Sequence, residues 1–169
     1  MAKSSKTTKT VKTADTQIGL DKKSSAQLAE KLNALLANYQ VYYMNVRGYH
    51  WNVKGANFFE LHLKFEEIYN DLLIKIDEIA ERVLTLGHTP AHTYSAYIKL
   101  SDIKEAQNVV DGRACVEGVL AGFEALLPKQ REILALAGAA DDEGTSSQMS
   151  DYIKEQEKLM WMFNAYLAK

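Results

Sequence analysis

Cysteine is almost missing from this chain: Cys115 stands alone among 169 residues, so no disulfide can close within it and a reducing compartment suits it. Proline is nearly as scarce, with only Pro90 and Pro128, and nine glycines leave little turn punctuation, which disfavours a β-rich or disordered chain. No apolar run approaches the ~20 residues of a membrane span. The polar N-terminus also lacks the apolar core of a signal peptide, so a cytoplasmic protein is expected. Acids are absent from the first fourteen positions, where Lys3, Lys6, Lys9 and Lys12 recur at every third residue among Ser, Thr and Ala. The remainder holds sixteen basic against twenty-two acidic residues, a net charge of −6.

What is present is apolar and periodic. With 47% hydrophobic residues the chain can bury a core as one domain. We expect residues 1–17 to form a flexible Lys-rich tail and residues 18–169 a single helical bundle. Such a tail can neutralise DNA phosphates without reading sequence, many copies at once in a multimer, or serve only as a solubilising leader.

Four long helices are predicted. The first starts at Ser24 or Ser25 with a Ser24-x-x-Gln27 capping box and runs along the stripe Leu28, Leu32, Leu35, Leu36, Tyr39, Tyr42, Val46 and His50. The second is capped by Asn57, ends at Gly87, and buries Leu61, Phe65, Ile68, Leu72, Leu73, Ile76, Ile79, Ala80 and Val83. The third, from about Asp111 to Ala137, is expected to kink or break at Pro128. The fourth begins at Thr145 or Ser147 and carries Met149, Tyr152, Ile153, Leu159, Met160, Trp161, Phe163 and Tyr166. A long connection after Gly87 holds His88, Pro90, His92 and the periodic piece TYSAYIKL, which predicts a short extra helix between helices 2 and 3. The two histidines there are assigned to loop packing.

Metal-ligating side chains gather between His50 and Glu81. At 100° per residue, Glu66 lies about 40°, Asp77 about 60° and Glu81 about 100° round the second helix from His62. They share a face, yet His62 and Asp77 are roughly 22 Å apart along the axis, beyond the reach of one ion. The turn at Gly55 brings His50 beside His62, and a two-fold axis would bring both to Asp77 and Glu81 of a second copy. Imidazole and carboxylate ligands suit Fe(II), Mn(II) or Zn(II). Alternatively, Asp77 and Glu81 are a solvated acidic edge paired with Lys75 or Arg82.

His50-Trp51-Asn52, Gly55, His62, Glu66 and Asp77-x-x-x-Glu81-Arg82 together resemble the DNA-binding proteins from starved cells (Dps), small ferritin relatives. The resemblance spans about Gly19 to the C-terminus. It implies an all-α, ferritin-like four-helix bundle, assembled from two-fold dimers into a hollow dodecamer. The implied activity is a ferroxidase that oxidises Fe(II), preferentially with hydrogen peroxide, stores ferric mineral inside, and so protects DNA. His50, His62, Asp77 and Glu81 would bind iron at an intersubunit site, with Glu66 holding a second iron and zinc a substitute. Trp51 and Trp161 would stand beside the site. The loop and helix start around Asp141, Asp142, Glu143 and Asp151 would face a three-fold pore for iron, though these also read as ordinary loop acids.

Two other readings use the same residues. One is a non-specific DNA-compacting protein acting through the Lys-rich tail, with the metal site secondary. The other is a structural helical cage in which the four ligand residues only make hydrogen bonds. Glu-x-x-His pairs, which build a di-iron site inside one bundle, are missing from the chain.

Overall fold

A computed structural model describes residues 16–168, all but the first fifteen residues and Lys169. Lys3, Lys6, Lys9 and Lys12 therefore lie outside the described residues. Five helices follow one another: α1 (Lys22–Asn52), α2 (Phe58–Thr85), α3 (Tyr94–Leu100), α4 (Gly112–Ala139) and α5 (Glu143–Tyr166). The four long ones form a bundle, and the short α3 sits in the long connection between α2 and α4. Among the described residues no helix is long and apolar enough to cross a membrane.

The helix starts differ from expectation in a consistent way. At α1 the cap is Asp21, whose carboxylate accepts from the Ser24 amide at 2.9 Å and the Ser24 hydroxyl at 3.0 Å. A carboxylate is a charged acceptor at the positive end of the helix dipole, so it displaces the hydroxyl cap read from Ser24. Ser25 turns inward instead and donates to the Leu86 carbonyl at 2.9 Å. At α5 the cap is Asp142, accepting from the Thr145 amide at 3.0 Å, which starts that helix two residues earlier than Thr145 itself. Asn57 precedes α2 in the left-handed region (φ 61°) and makes no capping bond; its amide donates to the Tyr166 hydroxyl at 3.2 Å. α2 ends as expected, with Gly87 at φ +85° and the His88 amide reaching back to the Val83 carbonyl at 3.1 Å.

α4 passes through Pro128 without a break. Pro128 and Glu124 are both exposed, so the carbonyl that loses its amide partner is free to turn to solvent.

The core is the expected set of stripes, with Leu28, Leu32, Leu35, Tyr39, Phe65, Leu72, Ile79, Val119, Phe123 and Met149 all buried. Gly122 lets α4 approach α1: a Cβ there would collide with the Tyr42 ring, whose hydroxyl donates to the Val119 carbonyl at 2.9 Å. Leu73 is a correction, being 50% exposed. It lies 100° beyond Leu72, past the edge of the buried stripe.

Three asparagines of α1 hold the crossover that carries α3. Asn33 donates to the Thr89 carbonyl at 3.3 Å and accepts from the Ala91 amide at 2.6 Å. Asn38 Oδ1 accepts from the amides of Asp102 and Ile103, both at 3.1 Å, and from the Ser101 hydroxyl at 3.3 Å. Asn45 donates to the Lys104 carbonyl and accepts from the Ala106 amide, each at 2.8 Å. An irregular segment leaves main-chain groups without partners, and these side chains supply them. The result is a connection long enough to join α2 and α4 in parallel.

Candidate metal centre

The last turn of α1 leaves carbonyls without helical partners, and one of them is that of His50. His62 Nδ1 bonds to that carbonyl at 2.8 Å, and His50 Nδ1 bonds to the His62 carbonyl at 2.8 Å. A carbonyl only accepts, so Nδ1 must carry the proton in both rings. With Nδ1 so engaged, Nε2 is the ring atom left for a metal in each. The rings stack with centroids 3.8 Å apart, flanked by Phe58 against His62 (5.2 Å) and Tyr69 edge-on to His50 (5.3 Å). His50 is only 8% exposed. Sequence reading missed Tyr69, although it lies seven residues after His62 on the same side of α2.

The carboxylates are distributed unequally. Glu66 is half-buried one turn beyond His62, while Asp77 and Glu81 are exposed at the far end of the helix. No three His, Cys, Asp or Glu side chains among the described residues converge on one point. The basic neighbours do not quench the far pair either. Lys75 is buried against Asp71 and against Glu155, at 2.8 Å from the latter, and Arg82 pairs with Asp142. Asp77 and Glu81 stand on a stripe with Phe59, Leu63, Leu73, Ile74 and Leu84, all exposed and all within about 60° of Asp77 round the helix. Two free carboxylates set in an exposed apolar stripe are unusual on a surface that only faces water.

The remaining predicted residues divide. Trp51 is 55% exposed, next to His50 in sequence, with the Arg47 guanidinium 4.7 Å above its ring. Trp161 is 68% exposed and makes no ring contact with either histidine. Asp141, Glu143 and Asp151 are exposed around the start of α5. Asp142 is not available to line a pore: it is 3% exposed and is consumed by the cap and by Arg82. His88 and His92 lie at the start of the crossover, beyond the end of α2 opposite His62; His92 Nδ1 bonds to the Pro90 carbonyl at 2.9 Å. Cys115 is buried in α4, and that burial pushes its thiol up to about 11, as suits a core side chain.

A four-helix bundle with a crossover between its second and third long helices defines a ferritin-like protein. The ferritin-like domain matches residues 29–169. An uncharacterized protein of Haemophilus influenzae is 65% identical over 150 residues, 89% of this chain and 94% of its own. The DNA protection during starvation protein of Porphyromonas gingivalis is 42% identical over 151 residues, covering 89% of this chain and 95% of that one. Among solved structures, the Dps protein of Vibrio cholerae superposes with a TM-score of 0.90 at 60% identity, over 91% of this chain and 97% of that one. It is described as a member of the ferritin-like diiron-carboxylate superfamily. This chain belongs to the Dps family, whose general role is iron storage and DNA protection.

Proposed function

We propose that this chain is a ferroxidase and iron-storage subunit whose metal site forms between two copies. The observation that carries this is the separation of ligands by the length of α2: His62 near its start is locked against His50 at the end of α1 with both Nε2 atoms free, and two unpaired carboxylates stand in an exposed apolar stripe toward its other end. Packing α2 antiparallel against its two-fold copy covers the stripe and brings His50 and His62 to the partner's Asp77 and the partner's Glu81. The carboxylates then gain the counter-charge that neither Lys75 nor Arg82 provides. Glu66, one turn from His62, holds a second iron.

Fe(II) is the substrate. Two Fe(II) each give one electron to hydrogen peroxide, which takes two protons and leaves as two waters, so no hydroxyl radical is released. Ferric iron then moves into the cavity of a dodecamer. Zinc, with the same ligand preferences, competes for the site. The Lys-rich segment adds non-specific DNA binding, and the assembly works in the cytoplasm.

Anaerobic Fe(II) loading followed by peroxide, with ferric absorbance and radical trapping read together, tests this. Wild-type protein should oxidise iron quickly with little radical, and His62→Ala should slow oxidation by more than about tenfold. Equal rates for the two proteins would remove the site.

A further inference from the structure

α2 places an arginine directly after Glu81, and the structure shows what it holds. Arg82 Nε donates to the Thr145 hydroxyl at 2.8 Å, and its Nη2 donates to Asp142. Asp142 in turn accepts from the Thr145 amide at 3.0 Å and from the Thr145 hydroxyl, so one carboxylate caps α5 and anchors α2. Thr145 and Asp142 are buried, and Arg82 is largely covered. Gly144 completes the fit: a Cβ there would lie 2.9 Å from Arg82 Nη1, so a larger residue would push the guanidinium away. These bonds join residues sixty or more positions apart, and they sit one residue from a carboxylate that itself has no partner.

From this we infer that Asp142, acting through Arg82, is a positioning residue for the carboxylate end of the shared metal site; the inference rests on the intersubunit reading proposed above. The two ends of α2 contribute to different sites, so each needs its own anchor. At the His62 end the anchor is the pair of reciprocal imidazole–carbonyl bonds. At the Glu81 end no ligand side chain is held by a bond of its own. Its placement comes from the helix, which is held there by the buried Ile79 and Val83, by the Ser25–Leu86 bond, by the Tyr152 hydroxyl on Glu78 and, nearest to Glu81, by the Arg82–Asp142–Thr145 clasp. Loss of the clasp removes the tie to α5 nearest Glu81, so the last turn of α2 shifts and the site loosens although every ligand is still present. The role of Asp142 is thus to set geometry from a buried position, not to attract iron from a pore.

Cobalt(II) serves as the probe, because it binds imidazole and carboxylate without being oxidised by air in the assay and its visible absorption reports ligation. Full-length assembled protein is titrated as wild type, Asp142→Asn, Arg82→Gln and the double variant. Ser25→Ala is the structural control: it removes the buried bond to the Leu86 carbonyl at the same end of α2 without touching the clasp. Sedimentation and melting are recorded for each. Asp142→Asn keeps a capping oxygen for α5 and loses the charge. Asp142→Asn and Arg82→Gln are expected to weaken cobalt binding by about 10- to 100-fold. The double variant should be no weaker than either single one, since both break one device. Ser25→Ala should lower melting and leave cobalt affinity unchanged. The inference is overturned if both clasp variants bind as wild type does while His62→Ala loses binding, or if Ser25→Ala loses as much affinity as Asp142→Asn. It is equally overturned if neither clasp variant assembles, since the clasp is then a folding element. Wild-type cobalt binding by His62→Ala would instead bring down the shared-site reading itself.

Discussion

Asn38→Ala is the substitution whose cost can be worked most directly from the structure. Asn38 is buried in α1, its Nδ2 donates to the Ala34 carbonyl at 2.8 Å, and its Oδ1 takes three donors from the crossover. Alanine removes that acceptor. The Ser101 hydroxyl keeps a second bond, to the Ile103 carbonyl at 2.9 Å, and the exposed Asp102 can offer its amide to water. The half-buried Ile103 amide has no such recourse. Each buried group left without a partner costs about 1–3 kcal/mol. Helix propensity returns roughly 0.6 kcal/mol in favour of alanine. A net loss of about 0.5–2.5 kcal/mol follows, or roughly 1–10 °C in melting temperature for a domain of this size. Thermal unfolding must be followed at fixed protein concentration, because assembly adds its own stabilisation. Asn33→Ala is the comparison, since its two bonds are half-exposed and water replaces them; it should cost under about 1 kcal/mol. Equal melting of Asn38→Ala and wild type, or a larger loss from Asn33→Ala, would refute the claim that the asparagines hold the crossover.

Gly122→Ala should destabilise by about 1–3 kcal/mol in chemical denaturation, because the new methyl meets the Tyr42 ring packed 5.4 Å from Phe123. An increase in stability, as an unconstrained helical Gly→Ala gives, would show that Tyr42 has room to move. Cys115 should resist thiol reagents in the native protein at pH 8 and react fully in denaturant, since a thiol near 11 holds about a thousandth of its population as thiolate there. Its folded pKa lies above the ordinary value of 9.0, so the unfolded chain loses the proton first and stability should fall as pH rises from about 9 toward 11. Cys115→Ala should flatten that slope, and an unchanged slope would assign it to other groups.

How much was legible in the sequence depended on how local the interaction is. The buried stripe from Leu28 to His50 follows from spacing alone, and all eight of its positions are buried. His50 beside His62 follows from one short turn between two helices. Leu73 was misplaced because 100° beyond a buried leucine is already the rim, and only the neighbouring helices say where that rim lies. Asp21 and Asp142 were missed as caps because each competes with a nearby Ser or Thr, and the choice is electrostatic. The asparagine bonds to the crossover and the Arg82–Asp142 pair span some sixty residues, and no periodicity carries information over that distance. Asp142 shows the consequence: among acids in a loop it reads as surface, and the fold buries it.

Subunit complementation tests the shared site most directly. A double variant lacking the imidazoles (His50→Ala, His62→Ala) and one lacking the carboxylates (Asp77→Ala, Glu81→Ala) should each be inactive in Fe(II) oxidation when assembled alone. Dissociated, mixed in equal amounts and reassembled, half the dimers contain one chain of each kind, and each of those holds one intact site of its two. Activity should therefore return to about a quarter of wild type, with metal bound in the same proportion. A mixture as inactive as its components would mean that the ligands act within one chain and would contradict the account.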